Sequence, residues 1–204
     1  MEQTSSKYNA LLEVQMSRGR YMLLTENAIY SYGDLYDNYA DSFKQLDLPD
    51  DADTEVLILG LGLGSIPQML EQVWHKKYYY TCVEIDETII YLAEKYVLKH
   101  LKSPMDVIRA DALDWVQVTE QLFDIICIDI FVDIATPAEF RENNFLQRCL
   151  ELLSPNGVLL YNCLGYSEKD CLETERFYHT IFKKTLPNAQ IWKLRANYML
   201  VATN

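Results

Sequence analysis

The chain has 204 residues, half of them apolar and 24% charged. That is enough to bury the core of one domain and too apolar for a disordered chain. Thirty acids against 18 bases give a formal net charge of −12, which argues against a duplex nucleic-acid binder, whose surface must neutralise phosphates. Five scattered cysteines without a C-x-x-C pair predict reduced core thiols, and three separated histidines predict no metal site. No apolar run reaches about 18 residues and the start lacks a basic-then-apolar pattern, so no membrane segment is expected and the location is expected to be cytoplasmic.

Residues 8–32 hold short apolar runs broken by turn residues. A strand is expected over 11–16, and strands over 21–25 and 28–32 flank Glu26-Asn27, a tight hairpin in which Asn tolerates positive φ. Such a β-meander is too small to stand alone. Tyr36, Tyr39, Ala40 and Phe43 recur at helical spacing after Asp34, the expected N-cap, and Leu48-Pro49-Asp50-Asp51 ends that helix. From residue 55 strands and helices alternate: strand 55–59, helix 65–77 with Pro67 in its first turn, strand 79–85, helix 87–100 capped by Asp86, strand 106–109 and helix 111–120. Strand 123–129, an amphipathic helix 138–153 stopped by Ser154-Pro155-Asn156-Gly157, and strand 158–163 follow. The capping box Ser167-x-x-Asp170 opens a helix to Lys184, and strands 190–195 and 198–203 close the chain. Residues 1–48 are expected to form the meander plus a helix, and 49–204 the main domain.

Alternating strands and helices predict a doubly wound, mostly parallel sheet with helices on both faces. The last two strands are joined by Ala196-Asn197 alone. They must be antiparallel, because a parallel crossover needs a dozen or more residues. A sheet closed by such a hairpin resembles the Rossmann-like fold of class I AdoMet-dependent transferases rather than the ordinary dinucleotide-binding sheet.

In a doubly wound sheet ligands bind beyond the carboxyl ends of the strands. The first strand of the alternating region runs into Gly60-Leu61-Gly62-Leu63-Gly64-Ser65, a G-x-G-x-G turn that lets a ligand approach the backbone. Glu84, 20 residues beyond Gly64, ends the next strand, where an acid can accept from both ribose hydroxyls. Asp111-Ala112 follows the third; Asp111 can accept from an adenine amino group, or only cap its helix. Asp129 ends the fourth at the mouth, as a proton acceptor or a partner of a nearby turn. Four such positions in order are far more specific than one glycine turn.

On these residues the chain resembles the class I AdoMet-dependent methyltransferase superfamily, and over about 6–203 its spermidine synthase-like branch. Ser6-Lys7-Tyr8-Asn9 is similar to that branch's S-x-Y-Q. Residues 24–31 are similar to its L-x-D-G-x-x-Q-S hairpin, and Tyr39-Ala40-Asp41 to Y-H-E. The segment from Asp129-Ile130-Phe131-Val132-Asp133 to Pro137 resembles D-x-F-x-x-D-x-x-P. The resemblance implies a seven-stranded sheet with a short N-terminal β-meander. It implies AdoMet or decarboxylated AdoMet held by Gly60, Gly62, Gly64, Glu84, Asp111, Ala112 and Asp129, and a homodimer. Where aminopropyltransferases carry G-G-G-D-G-G, with an acid for the ammonium of decarboxylated AdoMet, this chain has Leu63. The branch's glutamine after the hairpin is Tyr30, and the histidine of Y-H-E is Ala40.

The favoured reading is methyl transfer to a small molecule, with Asp129 as base and Asp133 or Tyr39 contacting the acceptor, which includes amines. The alternatives are an aminopropyltransferase in which Asp129 or Asp133 deprotonates the amine, and a non-catalytic module that binds an AdoMet-type nucleoside. An NAD oxidoreductase is disfavoured by the glycine spacing. With Leu63 at the acid's position the pocket is expected to prefer intact AdoMet, and Leu63→Asp to shift that preference.

Overall fold

The protein is described over residues 2–204 by a computed structural model with two sheets. The smaller is antiparallel, β1 (Glu2–Thr4), β2 (Leu12–Ser17), β3 (Arg20–Leu24) and β4 (Ile29–Ser31), in chain order. The polar residues of β1 give no alternation a sequence pattern could show. Left-handed backbone falls at Arg18-Gly19 (φ 51° and 76°), which joins β2 to β3 in a two-residue turn. Asn27 takes no positive φ; the connection at 25–28 closes through Thr25 N–H donating to Ala28 O at 2.9 Å.

A 3₁₀ turn (Gly33–Leu35) precedes α1 (Asp37–Phe43). Asp34 is therefore not the cap; its carboxylate accepts both arms of the Arg20 guanidinium at 2.6 and 2.8 Å. Next come β5 (Glu55–Leu59), α2 (Ser65–Gln72), β6 (Tyr79–Glu84), α3 (Glu87–Tyr96), β7 (Met105–Arg109), α4 (Ala112–Val118) and β8 (Phe123–Ile128). They are followed by α5 (Asn143–Glu151), β9 (Leu153–Leu164), α6 (Glu168–Phe177), a π turn into α7 (Lys183–Thr185), β10 (Gln190–Lys193) and β11 (Asn197–Thr203).

The large sheet has seven strands in the order β10-β11-β9-β8-β5-β6-β7. The pairs among β5–β9 are parallel; β9–β11 and β10–β11 are antiparallel. This is the doubly wound, Rossmann-like sheet with a C-terminal hairpin. β5 pairs with β6 on one side and β8 on the other, so the strand order reverses there. A cleft opens at such a switch point.

Apolar runs such as Val56–Leu59, Ile125–Ile128 and Leu159–Tyr161 are buried on both faces. On one face they meet Val116, Phe145, Leu146, Phe177 and Phe182, on the other Tyr39, Phe43, Met69, Leu70 and Ala93. A third cluster joins the meander (Leu12, Val14, Leu23) to Leu63 and to Ile89 and Leu92 of α3.

Several expected elements are shorter. The helix at 65–77 ends at Gln72: His75 turns left-handed (φ 57°) and Lys76 N–H returns to Leu70 O at 2.9 Å. Extended Glu142 splits the helix expected over 138–153 into a 3₁₀ turn and α5. The reverse occurs at 154–157. Those residues do not precede a new strand but bulge out within β9, whose pairing passes from Phe123↔Leu153 to Ile125↔Val158.

Candidate functional site

A cavity of about 700 Å³ opens over the switch point, beyond the ends of β5, β6 and β8 and roofed by residues 8–9, 27–30 and 32. That is within the usual range for a small-molecule site. Gly60 and Gly62 form its floor. A Cβ at Gly60 (φ 92°) would lie 2.3 Å from Asp129 O, so only glycine lets the end of β5 sit against the end of β8. Gly64 and Leu63 do not line the cavity. Gly64 (φ 87°) caps α2 beneath the Leu98 side chain, and Leu63 is buried among Leu12, Val14 and Leu23. The expectation that position 63 faces the ligand is corrected on this ground.

Glu84, 8% exposed, lines the wall. Its Oε2 accepts from Leu61 N–H and its Oε1 from Asp86 N–H, both at 3.0 Å. Burial pushes its carboxyl above the usual range against those hydrogen bonds. A carboxylate has about four acceptor positions, so each oxygen keeps capacity for a hydroxyl. Asp86 caps α3 through Oδ1, 3.0 Å from Thr88 N–H, and its Oδ2 accepts from Asn9 Nδ2 at 2.9 Å and from the Ser6 hydroxyl. Asp111 caps α4 through Oδ1, which accepts from Leu113 N–H at 2.9 Å; it lines the cavity with Ala112. The cap and the cavity position coexist.

Asp129 follows β8 directly. Its N–H donates to Leu59 O at 2.8 Å. Its Oδ1 accepts from Asn162 Nδ2 at 2.8 Å and from the Tyr36 hydroxyl at 3.2 Å. Burial pushes its carboxyl up to about 6, while those two donors pull it down. It is thus ionised at neutral pH and close to the range of a working base.

Tyr39 does not line the cavity. Fully buried, it donates from its hydroxyl to Ile128 O at 3.0 Å. α1 begins at Asp37, so the tyrosine that reaches the cavity is Tyr36, N-terminal to that helix. Asp133, held at φ 54°, lines the cavity and engages the hairpin tip through both oxygens. Its Oδ1 accepts from Thr25 Oγ1 at 2.8 Å and Asn27 N–H at 3.2 Å, its Oδ2 from Asn27 Nδ2 at 2.8 Å. Desolvation raises this carboxyl, but the hydrogen bonds from Asn27 and Thr25 prevail and hold it below its usual range. Tyr30 adds to this closure: its hydroxyl accepts from Asp133 N–H at 2.5 Å and lies 3.1 Å from Asn9 Oδ1 and 3.3 Å from Phe131 O. Burial pushes its phenol up to about 12.

Among the cavity residues that sequence reasoning passed over are Tyr36, Asn162 and Asn197. The available signal for Asn162 was a lone amide inside an otherwise apolar strand. Four more acids, Asp37, Asp41, Glu139 and Asp170, lie around the cavity, against Arg195 as its one cation among the described residues.

A sequence model of the spermine/spermidine synthase domain family matches residues 46–198. The chain belongs to that family. It is 33% identical over 115 residues to a probable polyamine aminopropyl transferase of Bifidobacterium longum, which covers 56% of this chain and 25% of that protein. It is 26% identical over 141 residues to an eEF1A lysine and N-terminal methyltransferase homolog of Drosophila melanogaster, covering 65% of this chain and 21% of that protein. The chain thus spans a quarter or less of the length of these two relatives. A probable spermidine synthase from Corynebacterium glutamicum superposes with a TM-score of 0.76 at 16% identity, covering 99% of this chain and 79% of that one. At that identity the likeness establishes a shared fold.

Proposed function

We propose that the chain is an AdoMet-dependent transferase that methylates a small-molecule acceptor. The observation that carries this is the set Gly60, Gly62, Glu84, Asp111 and Asp129 along the walls of one cavity at the switch point. The residues suit the group. Glu84 has unused acceptor capacity for two ribose hydroxyls, Asp111 keeps Oδ2 for an amino group, and Ala112 and Ile85 offer apolar surface to a base. AdoMet, when bound, supplies a methyl carbon made electrophilic by the adjacent sulfonium. What remains for the protein is to orient the acceptor, exclude water and take up its proton. Ile130, Phe131 and Val132 give the acceptor side an apolar wall, and Asp129 is placed to take the proton.

Two features favour methyl over aminopropyl transfer. No acid from the glycine turn lines the cavity, so none is there to select a lone ammonium. Asp133 already accepts three hydrogen bonds from Thr25 and Asn27, which leaves it less acceptor capacity for a second amine. Aminopropyl transfer is the second reading, favoured by the acids around the cavity, which suit a polycation. The edge strand β4 and the exposed side chains of Met16 and Ile29 on the meander support a homodimer, to be checked by sedimentation at micromolar concentration.

Calorimetry with AdoMet, decarboxylated AdoMet, methylthioadenosine and NAD in parallel, followed by mass spectrometry of an amine and hydroxyl acceptor panel, tests the reading. AdoMet should bind roughly tenfold more tightly than its decarboxylated form. Glu84→Ala should weaken nucleoside binding by roughly tenfold or more. Tighter binding of decarboxylated AdoMet moves aminopropyl transfer ahead, and binding without any turnover leaves a nucleoside-binding module. A signal with NAD alone overturns the proposal.

A further inference from the structure

Every side-chain hydrogen bond of Asp129 among the described residues falls on Oδ1. The nearer donor, Asn162 Nδ2, comes from β9, and Asn162 is only 1% exposed. A side-chain amide has a donor end and an acceptor end, and turned round it would set an oxygen against the carboxylate. Here its acceptor end is engaged from behind. Asn197 Nδ2 donates to Asn162 Oδ1 at 2.9 Å, so only the NH₂ end is left for Asp129. The antiparallel ladder makes this possible. Asn197 opposes Leu164 and Met199 opposes Asn162, so the two asparagines are diagonal neighbours on one face. Tyr36, from the other side, completes the grip.

We propose that Asn162 and Asn197 are a positioning pair that holds Asp129 with Oδ1 occupied and Oδ2 free for the substrate's proton. The transferase reading enters only in where the proton comes from. As the acceptor's N–H or O–H bond breaks, the electron pair stays on the acceptor and the proton bonds to Oδ2, turning carboxylate into carboxylic acid. On this account the C-terminal hairpin also serves the site, since β11 brings in Asn197. Neither asparagine touches the reacting atoms; both act through Asp129.

The titratable groups facing Asp129 are Tyr36 and Tyr39 on and before α1, Cys127 on its own strand and Glu84 on β6. The test is therefore a titration of Asp129 in the intact chain, with no substrate added. The protein is labelled with ¹³C at aspartate carboxyls, and the Asp129 signal is assigned by its loss in Asp129→Asn. Asn162→Leu keeps the branched heavy-atom shape and removes the donor, and should raise the Asp129 pKa by about one unit, a tenfold change in proton affinity. Asn197→Ala leaves Asn162 in place but frees its amide to turn. It should move the same signal upward by less and speed exchange of the Asn162 side-chain NH₂. A folded Asn162→Leu chain whose Asp129 titrates as in the wild type overturns the proposal. Should that variant not fold, an unmoved Asp129 signal in Asn197→Ala overturns it equally. An absence of AdoMet binding would defeat the transferase reading and leave these titrations unchanged.

Discussion

Asp129 shows how a single residue can be kept at a cost to the fold. Burial pushes its carboxyl from an ordinary 3.8 up to about 6 in the folded protein. A raised carboxylate pKa means that the charged form is disfavoured by folding. Below about pH 3.8 both states are protonated and nothing is lost; the penalty grows between 3.8 and 6 and is complete above 6. Asp129→Asn should therefore stabilise the protein by about 1–3 kcal/mol at pH 8 and have little effect at pH 4. Urea unfolding at the two pH values checks this. A variant less stable than the wild type at pH 8 would mean that the Asn162 and Tyr36 hydrogen bonds outweigh the desolvation. On the proposed role of Asp129 as proton acceptor, the gain should come with loss of turnover.

At the scale of elements, the connection after β8 and the tip between β3 and β4 act as one piece. Asp133 supplies three hydrogen bonds to the tip, and Tyr30 takes the Asp133 N–H. Its carboxyl lies below the usual range, so the closure persists through the neutral range and is lost only as acid protonates it. Asp133→Ala should leave the large sheet unchanged. Amide exchange at Asn27 and Asp133 should speed by on the order of tenfold, and nucleoside release should quicken. Hydrogen exchange read by NMR decides the matter. Unaltered protection at Asn27 would show that Tyr30 alone holds the roof. A four-residue connection with no left-handed Asn27 is held here by a carboxylate 106 positions away in the chain, which no turn rule could supply.

For the molecule as a whole, the joint between the two sheets is the third apolar cluster, with Leu63 at its centre and 1% exposed. A charge there has no partner, since Leu12, Val14, Leu23, Ile89 and Leu92 surround it. Leu63→Asp should cost about 4 kcal/mol or more in urea unfolding, and should loosen the meander rather than alter which sulfonium is bound. A stable Leu63→Asp chain with a changed preference between AdoMet and decarboxylated AdoMet would return position 63 to the ligand site.

The sheet and the outline of the cavity at its switch point can be read from the sequence. Buried parallel strands need continuous apolar runs, and their ends are marked by glycines and acids whose positions follow from strand length alone. Gly60, Gly62, Glu84, Asp111 and Asp129 were legible for that reason, as were the Ser167–Asp170 capping box and the antiparallel last pair. The tertiary structure decided what depends on direction or on distant partners. Starting α1 at Asp37 buried Tyr39 and left Tyr36 beside Asp129. The hairpin tip engaged Asp133, and the path of the glycine turn placed Leu63 under the meander. Asn162 and Asn197 become functional candidates only when β11 lies antiparallel to β9. Spacing along the chain fixes which residues share an element; which way a side chain faces depends on the element packed against it, and that is set by contacts far apart in sequence.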